Sequence, residues 1–378
     1  GTMGDYSLRV FNTALEAQNK ELTQKPMLKK LGYVQRHQKL PEILDFDACE
    51  TRQRDWSNVL TIHKNHSNVY LWKYTNRSIS ETILRQPEWK QDTGLNTTDK
   101  MIESHATACC LSACGNFAIV GTKSGMVYKY NVQSGLPRGS FPMSTAARNA
   151  YVKSTVTDMR LRNLSNVLHQ EQSLKAGVLT GADGKARKKE ETAELMKAYQ
   201  HTSAITGVFI DIANMTLMSC SLDGSIVFWD FGTHNVLRMI ETSGGGVVPH
   251  TLLQGFRDGG LAAVASQDRI VRIYDMSTHQ LCRRFEGHKR EITDVAFTPD
   301  GRKLLVSSLD NTVRLWDVPT GRCLSWLSFD SPVLSMTVSL SGEYLCVAQL
   351  DKEGIGMYID KSLYSTVHFW SEPTVPTP

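Results

Sequence analysis

Apolar and polar positions switch period every few residues along this chain, and the switches recur in a fixed order. The order is plainest between residues 288 and 329. "ITDVAF" (292–297) alternates, "TPDGR" (298–302) turns, "KLLVSS" (303–308) runs apolar, "TVRLWD" (312–317) follows and "CLSWLSF" (323–329) closes the unit. Alternation of period two marks a half-buried strand, and a short apolar run bounded by turn residues marks a buried one. Pro299-Asp300-Gly301 supplies the turn between the first two strands. The unit therefore predicts four short strands.

The stretch "LDNTVRLWD" (309–317) has several copies when aligned on Asp310 and Trp316. "LDGSIVFWD" (222–230) carries Asp223 and Trp229, and "QDRIVRIYD" (267–275) carries Asp268 and Tyr274. "KSGMVYKYN" (123–131), "NHSNVYLWK" (65–73) and "GDYSLRVFN" (4–12) keep a turn residue six positions before an aromatic. "LDKEGIGMYI" (350–359) is a looser copy. From Asp223 to Asp268 is 45 residues, from Asp268 to Asp310 is 42, and from Asp310 to Asp351 is 41. A period in the low forties with four strands per unit is the mark of a β-propeller. The expected fold is all-β.

Six full units fit, at about 41–86, 103–142, 200–243, 247–286, 288–329 and 330–370. Residues 4–24 read as the last two strands of a seventh, whose first two lie upstream. Pairing of terminal strands removes exposed edges, so the expectation is a seven-bladed ring with one blade incomplete in this chain. Residues 25–40 form a basic linker, 371–378 a tail, and 143–199 a long insertion within the 41–370 propeller. The insertion is polar, low in aromatics and charged from Lys185 to Lys197, so it is expected to be partly helical or disordered.

Gly287-His288, Ser308-x-Asp310 and Trp316-Asp317 resemble the WD-repeat signature. The resemblance implies a hydrogen-bonded tetrad of His288, Ser308, Asp310 and Trp316, and a second of His201, Ser221, Asp223 and Trp229. A buried indole needs an acceptor for its one donor, and a buried imidazole needs its tautomer fixed. Removing one member strands buried polar groups at about 1–3 kcal/mol. The tetrad residues are therefore expected to be structural. The unit at 247–285 keeps Ser266 and Asp268 but has Tyr274, and the first units depart further.

Composition narrows the chemistry. Apolar residues make up 41% of the 378, and the net charge of +4 is mild, tolerating nucleic acid without demanding it. Eight scattered cysteines form no CxxC pair and read as free thiols in a reducing compartment. No apolar run approaches the roughly 20 residues that cross a bilayer. "TGADGKA" (180–186) fails as a phosphate loop because Leu179 stands where its first Gly belongs and Ala186 follows the Lys. "SGGGVV" (243–248) lacks a dinucleotide register, and HExxH and GxSxG do not occur. The expectation is no catalytic residue, metal, cofactor, membrane contact or small-molecule substrate.

Several longer runs carry a more specific resemblance. "CGNFAIVGTKSGMVYKYNVQSGLPRGSFP" (114–142), "LPEILDF" (40–46) with "RDWSNVLTIH" (54–63), "FEGHKREITDVAFTPDGRKLLVSSLDNTVRLWDVPTG" (285–321) and "LDKEGIGMYIDKSLYSTV" (350–367) resemble the tandem WD-repeat family of the UTP-B subcomplex, in its second propeller. That subcomplex belongs to the nucleolar small-subunit processome, built on the U-three small nucleolar RNA. The resemblance implies a nucleolar scaffold in small-subunit biogenesis. Its implied partners are other WD-repeat proteins of the subcomplex, with pre-rRNA or the U-three RNA as candidates. Basic residues able to meet them are Lys29, Lys30, Arg36 and Lys39 in the linker, Lys185, Arg187, Lys188 and Lys189 in the insertion, and Lys289 and Arg290 at the start of one blade. A direct RNA-binding propeller and a substrate adaptor of another complex are the competing readings.

Overall fold

The computed structural model describes residues 7–10, 19–24, 40–86, 104–141, 200–241 and 247–359. Strands β1 (Leu8–Val10) and β2 (Lys20–Leu22) form a two-stranded antiparallel ribbon. Blade 1 comprises β3 (Ile43–Ala48), β4 (Val59–His63), β5 (Val69–Lys73) and β6 (Ser78–Leu84). Blade 2 comprises β7 (Ala106–Leu111), β8 (Phe117–Thr122), β9 (Val127–Asn131) and β10 (Pro137–Phe141). Blade 3 comprises β11 (Ile205–Ile210), β12 (Thr216–Ser221), β13 (Ser225–Asp230) and β14 (Val236–Glu241). Blade 4 comprises β15 (His250–Phe256), β16 (Leu261–Ser266), β17 (Val271–Asp275) and β18 (Leu281–Phe285). Blade 5 comprises β19 (Ile292–Phe297), β20 (Lys303–Ser308), β21 (Thr312–Asp317) and β22 (Cys323–Ser328). Blade 6 comprises β23 (Val333–Val338), β24 (Tyr344–Gln349) and β25 (Ile355–Ile359). Each blade is an antiparallel meander in sequence order, and no helix occurs among the described residues.

The expected seventh blade is not found: the described residues hold six blades, and the stretch 4–24 contributes the ribbon alone. Its strands are three residues each, too short to bury a sheet face unaided. The ribbon instead leans on blade 1, where Leu8 and Leu22 pack with Tyr70, Trp72 and Ile79. Thr23 ties the two together, donating from its N–H to the Arg77 carbonyl and accepting from the Ile79 N–H. The insertion 143–199 lies outside the described residues.

The turns follow from their sequences. Gly301 adopts φ of 67°, which a glycine accepts without a Cβ clash, and Thr298 Oγ1 donates to Asp300 to fix the loop. Every blade has a register shift near the start of its innermost strand, as between Ile43 and Asp45 or Ile292 and Asp294. Such bulges re-aim side chains. The inner strands lie side by side in the order β3, β7, β11, β15, β19, β23. Core clusters form between successive blades: one joins blades 1 and 2 through Leu60, Leu71, Leu111 and Val120, and another joins blades 4 and 5 through Ala263, Ile273, Val295 and Trp316. Close approach is enforced by small residues, since a Cβ on Gly207 of β11 would lie 2.2 Å from that of Leu253 in β15.

Candidate interaction surface and the polar knots that hold it

The most complete knot sits in blade 3. The Trp229 indole N–H donates to Ser219 Oγ at 2.8 Å, and Ser219 Oγ lies 2.8 Å from His201 Nε2. With the hydroxyl accepting from the indole, its own proton goes to Nε2, which places the imidazole proton on Nδ1. Nδ1 then donates to Ser225 Oγ at 2.7 Å, and Ser225 donates to Asp223 Oδ1 at 2.5 Å. Burial opposes the Asp223 charge, but hydrogen bonds from His201 and Ser225 outweigh it and hold this carboxyl well below its ordinary range. Ser221 is not in this chain of bonds: its hydroxyl donates to the Ser203 carbonyl at 3.1 Å. The member is Ser219, two residues earlier on the same face of β12, level with the indole ring.

Ser219, His201 and Asp223 have the residue types of a hydrolase triad. Chemistry of that kind needs a nucleophile open to substrate. Ser219 is fully buried, and its oxygen already accepts the indole proton.

Blade 5 holds half of the same device. His288 Nδ1 lies 3.0 Å from Asp310 Oδ2, and Thr312 Oγ1 donates to Asp310 Oδ1 at 2.5 Å. Burial opposes the Asp310 charge, yet hydrogen bonds from Thr312, Lys289 N–H and His288 pull its pKa down to about 2. Val306 occupies the position of Ser219, judged by strand register against Trp316 and Trp229. Trp316 Nε1 and His288 Nε2 are consequently buried without a hydrogen-bond partner. Ser308 does not fill the gap, because its hydroxyl donates to the Arg290 carbonyl.

Blade 1 builds a knot differently. Trp72 Nε1 donates to Thr61 Oγ1 at 2.8 Å, Thr61 lies 3.1 Å from His63 Nε2, and His63 Nδ1 lies 2.6 Å from the Pro41 carbonyl. The histidine comes from β4 itself, so a search for one ahead of the first strand passes it over. Burial lowers its pKa to about 4. In blades 2, 4 and 6 the aromatic is Tyr130, Tyr274 or Tyr358, and the facing strand carries Val120, Val264 or Val347. A tyrosine ring presents no ring N–H at that depth, so it asks no acceptor of valine.

Between blades, carboxylates on inner strands cap backbone donors of the next blade. Asp45 and Asp47 accept from the Cys109 and Leu111 N–H groups, and Asp294 accepts from Met336 N–H and Ser335 Oγ. Burial raises the Asp45 pKa to about 6. Arg257, just past β15, reaches Asp47 Oδ2 at 2.7 Å and the Leu111 carbonyl at 2.6 Å. Blade 4 thus touches blades 1 and 2, so the series curls around a centre. No local sequence signal marks these residues, whose partners lie 146 and 210 positions away.

Of the basic residues expected to meet partners, Lys289 and Arg290 lie exposed on the loop leading into β19. Arg269 Nη1 donates to the Lys289 carbonyl and steadies that loop. Lys29, Lys30, Arg36, Lys39, Lys185, Arg187, Lys188 and Lys189 lie outside the described residues. Among the described residues, no group of three or more His, Cys, Asp or Glu could hold a metal ion.

Comparison with known proteins gives a consistent result. The family model described as WDR36/Utp21 second beta-propeller domain matches residues 2–178 and 183–374. The U3 small nucleolar RNA-associated protein 21 homolog of Schizosaccharomyces pombe is 30% identical over 96% of this chain and 33% of its own length. Human WD repeat-containing protein 36 is 28% identical over 96% of the chain and 34% of its own. The Saccharomyces cerevisiae U3 small nucleolar RNA-associated protein 21 is 26% identical over 96% and 31%. The chain thus spans about a third of the length of these relatives.

Proposed function

The chain belongs to the WDR36/Utp21 second beta-propeller family, and from that premise we propose that it is a non-catalytic scaffold of the nucleolar small-subunit processome. In this reading it supports pre-rRNA processing and small-subunit biogenesis by holding other WD-repeat proteins of the UTP-B subcomplex. The observation that carries the reading is a family match along nearly the whole chain, to relatives named for association with the U3 small nucleolar RNA. The physics agrees with it. The triad-like group in blade 3 is sealed in the core, while the loops between strands are where a rigid frame offers contacts. The linker 25–40 and the insertion 143–199 are further contact elements in this reading. Affinity purification of the tagged full-length protein from cells tests it. Recovery of the U3 RNA together with the UTP-B WD-repeat proteins is the expected result, and recovery of neither removes the assignment.

A second reading, direct RNA binding, draws on the exposed Lys289 and Arg290 side by side on one loop. Removing a side chain that neutralises a phosphate should reduce the salt slope of binding by about one. Replacing both residues by Ala should therefore flatten the slope for an RNA binder and leave a protein-binding face unchanged.

A further inference from the structure

The two ends of the blade series are uncovered on matching flanks. On blade 1, Phe46 of β3 is 53% exposed, whereas its counterparts on four later inner strands, Cys109, Val208, Val295 and Met336, are buried against the preceding blade. On blade 6, Ile355 and Met357 of β25 are 51% and 47% exposed, whereas their counterparts Ile226 and Phe228 in blade 3 are fully buried against the following blade. Arg257 shows that the series curls on itself, so these two flanks border a single seam. The outer half of the blade 1 flank is already covered, by Leu8 and Leu22 of the ribbon on Trp72 and Ile79. The uncovered part is the inner half.

We propose that this seam is a docking site for a β-hairpin, apolar on both faces, supplied from outside residues 1–378. A hairpin is the element that matches, for three reasons. In each seam between neighbouring blades the same positions are covered by inner strands, sheet face against sheet face at about 10 Å. The seam has two apolar walls, so its occupant needs alternating positions that are apolar on both sides. The new element also continues an existing contact, since the ribbon occupies the outer part of the same flank. The relatives run to about three times the matched length, so polypeptide beyond this chain is at hand. The proposal goes beyond the scaffold reading and does not rest on it: the flanks are open whichever assembly the protein joins.

The test is hydroxyl-radical footprinting of the full-length protein in its native assembly, against the 378-residue chain alone. Phe46 and Met357 side chains should oxidise several-fold more slowly in the assembly. A photo-crosslinking residue at position 46 or at 357 should capture one common peptide of about 15 residues, the size of a two-stranded hairpin, outside residues 1–378. Equal oxidation in both samples overturns the proposal. So does capture of residues within this chain, or of two unrelated peptides from the two positions. Both positions are already solvent-exposed, so the substitutions leave the core untouched. If purification shows no processome component but the common peptide is captured, the seam stands and the scaffold reading fails.

Discussion

Blades 3 and 5 share strand lengths, turn types and a buried tryptophan, yet only blade 3 completes its polar knot. One residue separates them: Ser219 in β12 against Val306 in β20. Across the six blades, a hydroxyl or a valine at this position goes with the ring it faces. Thr61 and Ser219 face tryptophans, and Val120, Val264 and Val347 face tyrosines. Val306 facing Trp316 is the exception, and there the structure leaves two buried nitrogens unpaired. An aromatic in a β-blade is thus half of a pair, and its partner on the neighbouring strand decides whether it stabilises fully.

The largest test of this comparison removes the rings. Trp229→Ala and Trp316→Ala should each cost about 3–5 kcal/mol as large core truncations. Trp229→Ala should cost more by about 1 kcal/mol, because it also breaks a hydrogen bond to Ser219. Denaturant unfolding of the two variants checks the order. Swapping the partner alone comes next. Ser219→Val should destabilise by about 1–3 kcal/mol by stranding Trp229 Nε1 and His201 Nε2. Val306→Thr, nearly isosteric, should stabilise blade 5 by about 1 kcal/mol by supplying the acceptor that Thr61 supplies in blade 1. A neutral or destabilising Val306→Thr would break the comparison.

The smallest effect is in pH. His63, His234 and His250 have pKa values lowered by burial to about 4. Unfolded histidines bind protons below about 6.5, so stability should fall as pH drops from there towards 4. Asp45, raised by burial to about 6, acts in the opposite sense: the folded state takes up its proton first, and stability gains as pH falls through 6. Asp45→Asn should therefore steepen the acid loss, read from melting temperatures across pH 4–7.

Much of the frame was legible in the residues. The strands of blade 5 lie where alternation and the Pro-Asp-Gly turn put them. The knots were half legible. Period-two alternation places Ser219 and Ser221 on one face of β12, and nothing local says which is level with the indole. The same ambiguity assigned Ser308 in blade 5, where the level residue is Val306. His63 was missed because it sits within a strand rather than before one. Arg257, Asp45 and Asp47 act across blades, and their partners come together only when the ring curls. The blade count was overestimated because an aromatic with a turn residue six positions earlier recurs in "GDYSLRVFN", where only a short ribbon forms.

The central claim is that the polar knots are structural pairings set by one strand position. Hydrogen exchange of the tryptophan indole protons, followed by NMR, tests it most directly. The account predicts slow exchange at Trp72 and Trp229, faster exchange at Trp316, and slowing of Trp316 to match them in Val306→Thr. A Trp316 indole as protected as that of Trp229 in the unaltered protein, and unmoved by Val306→Thr, would contradict it.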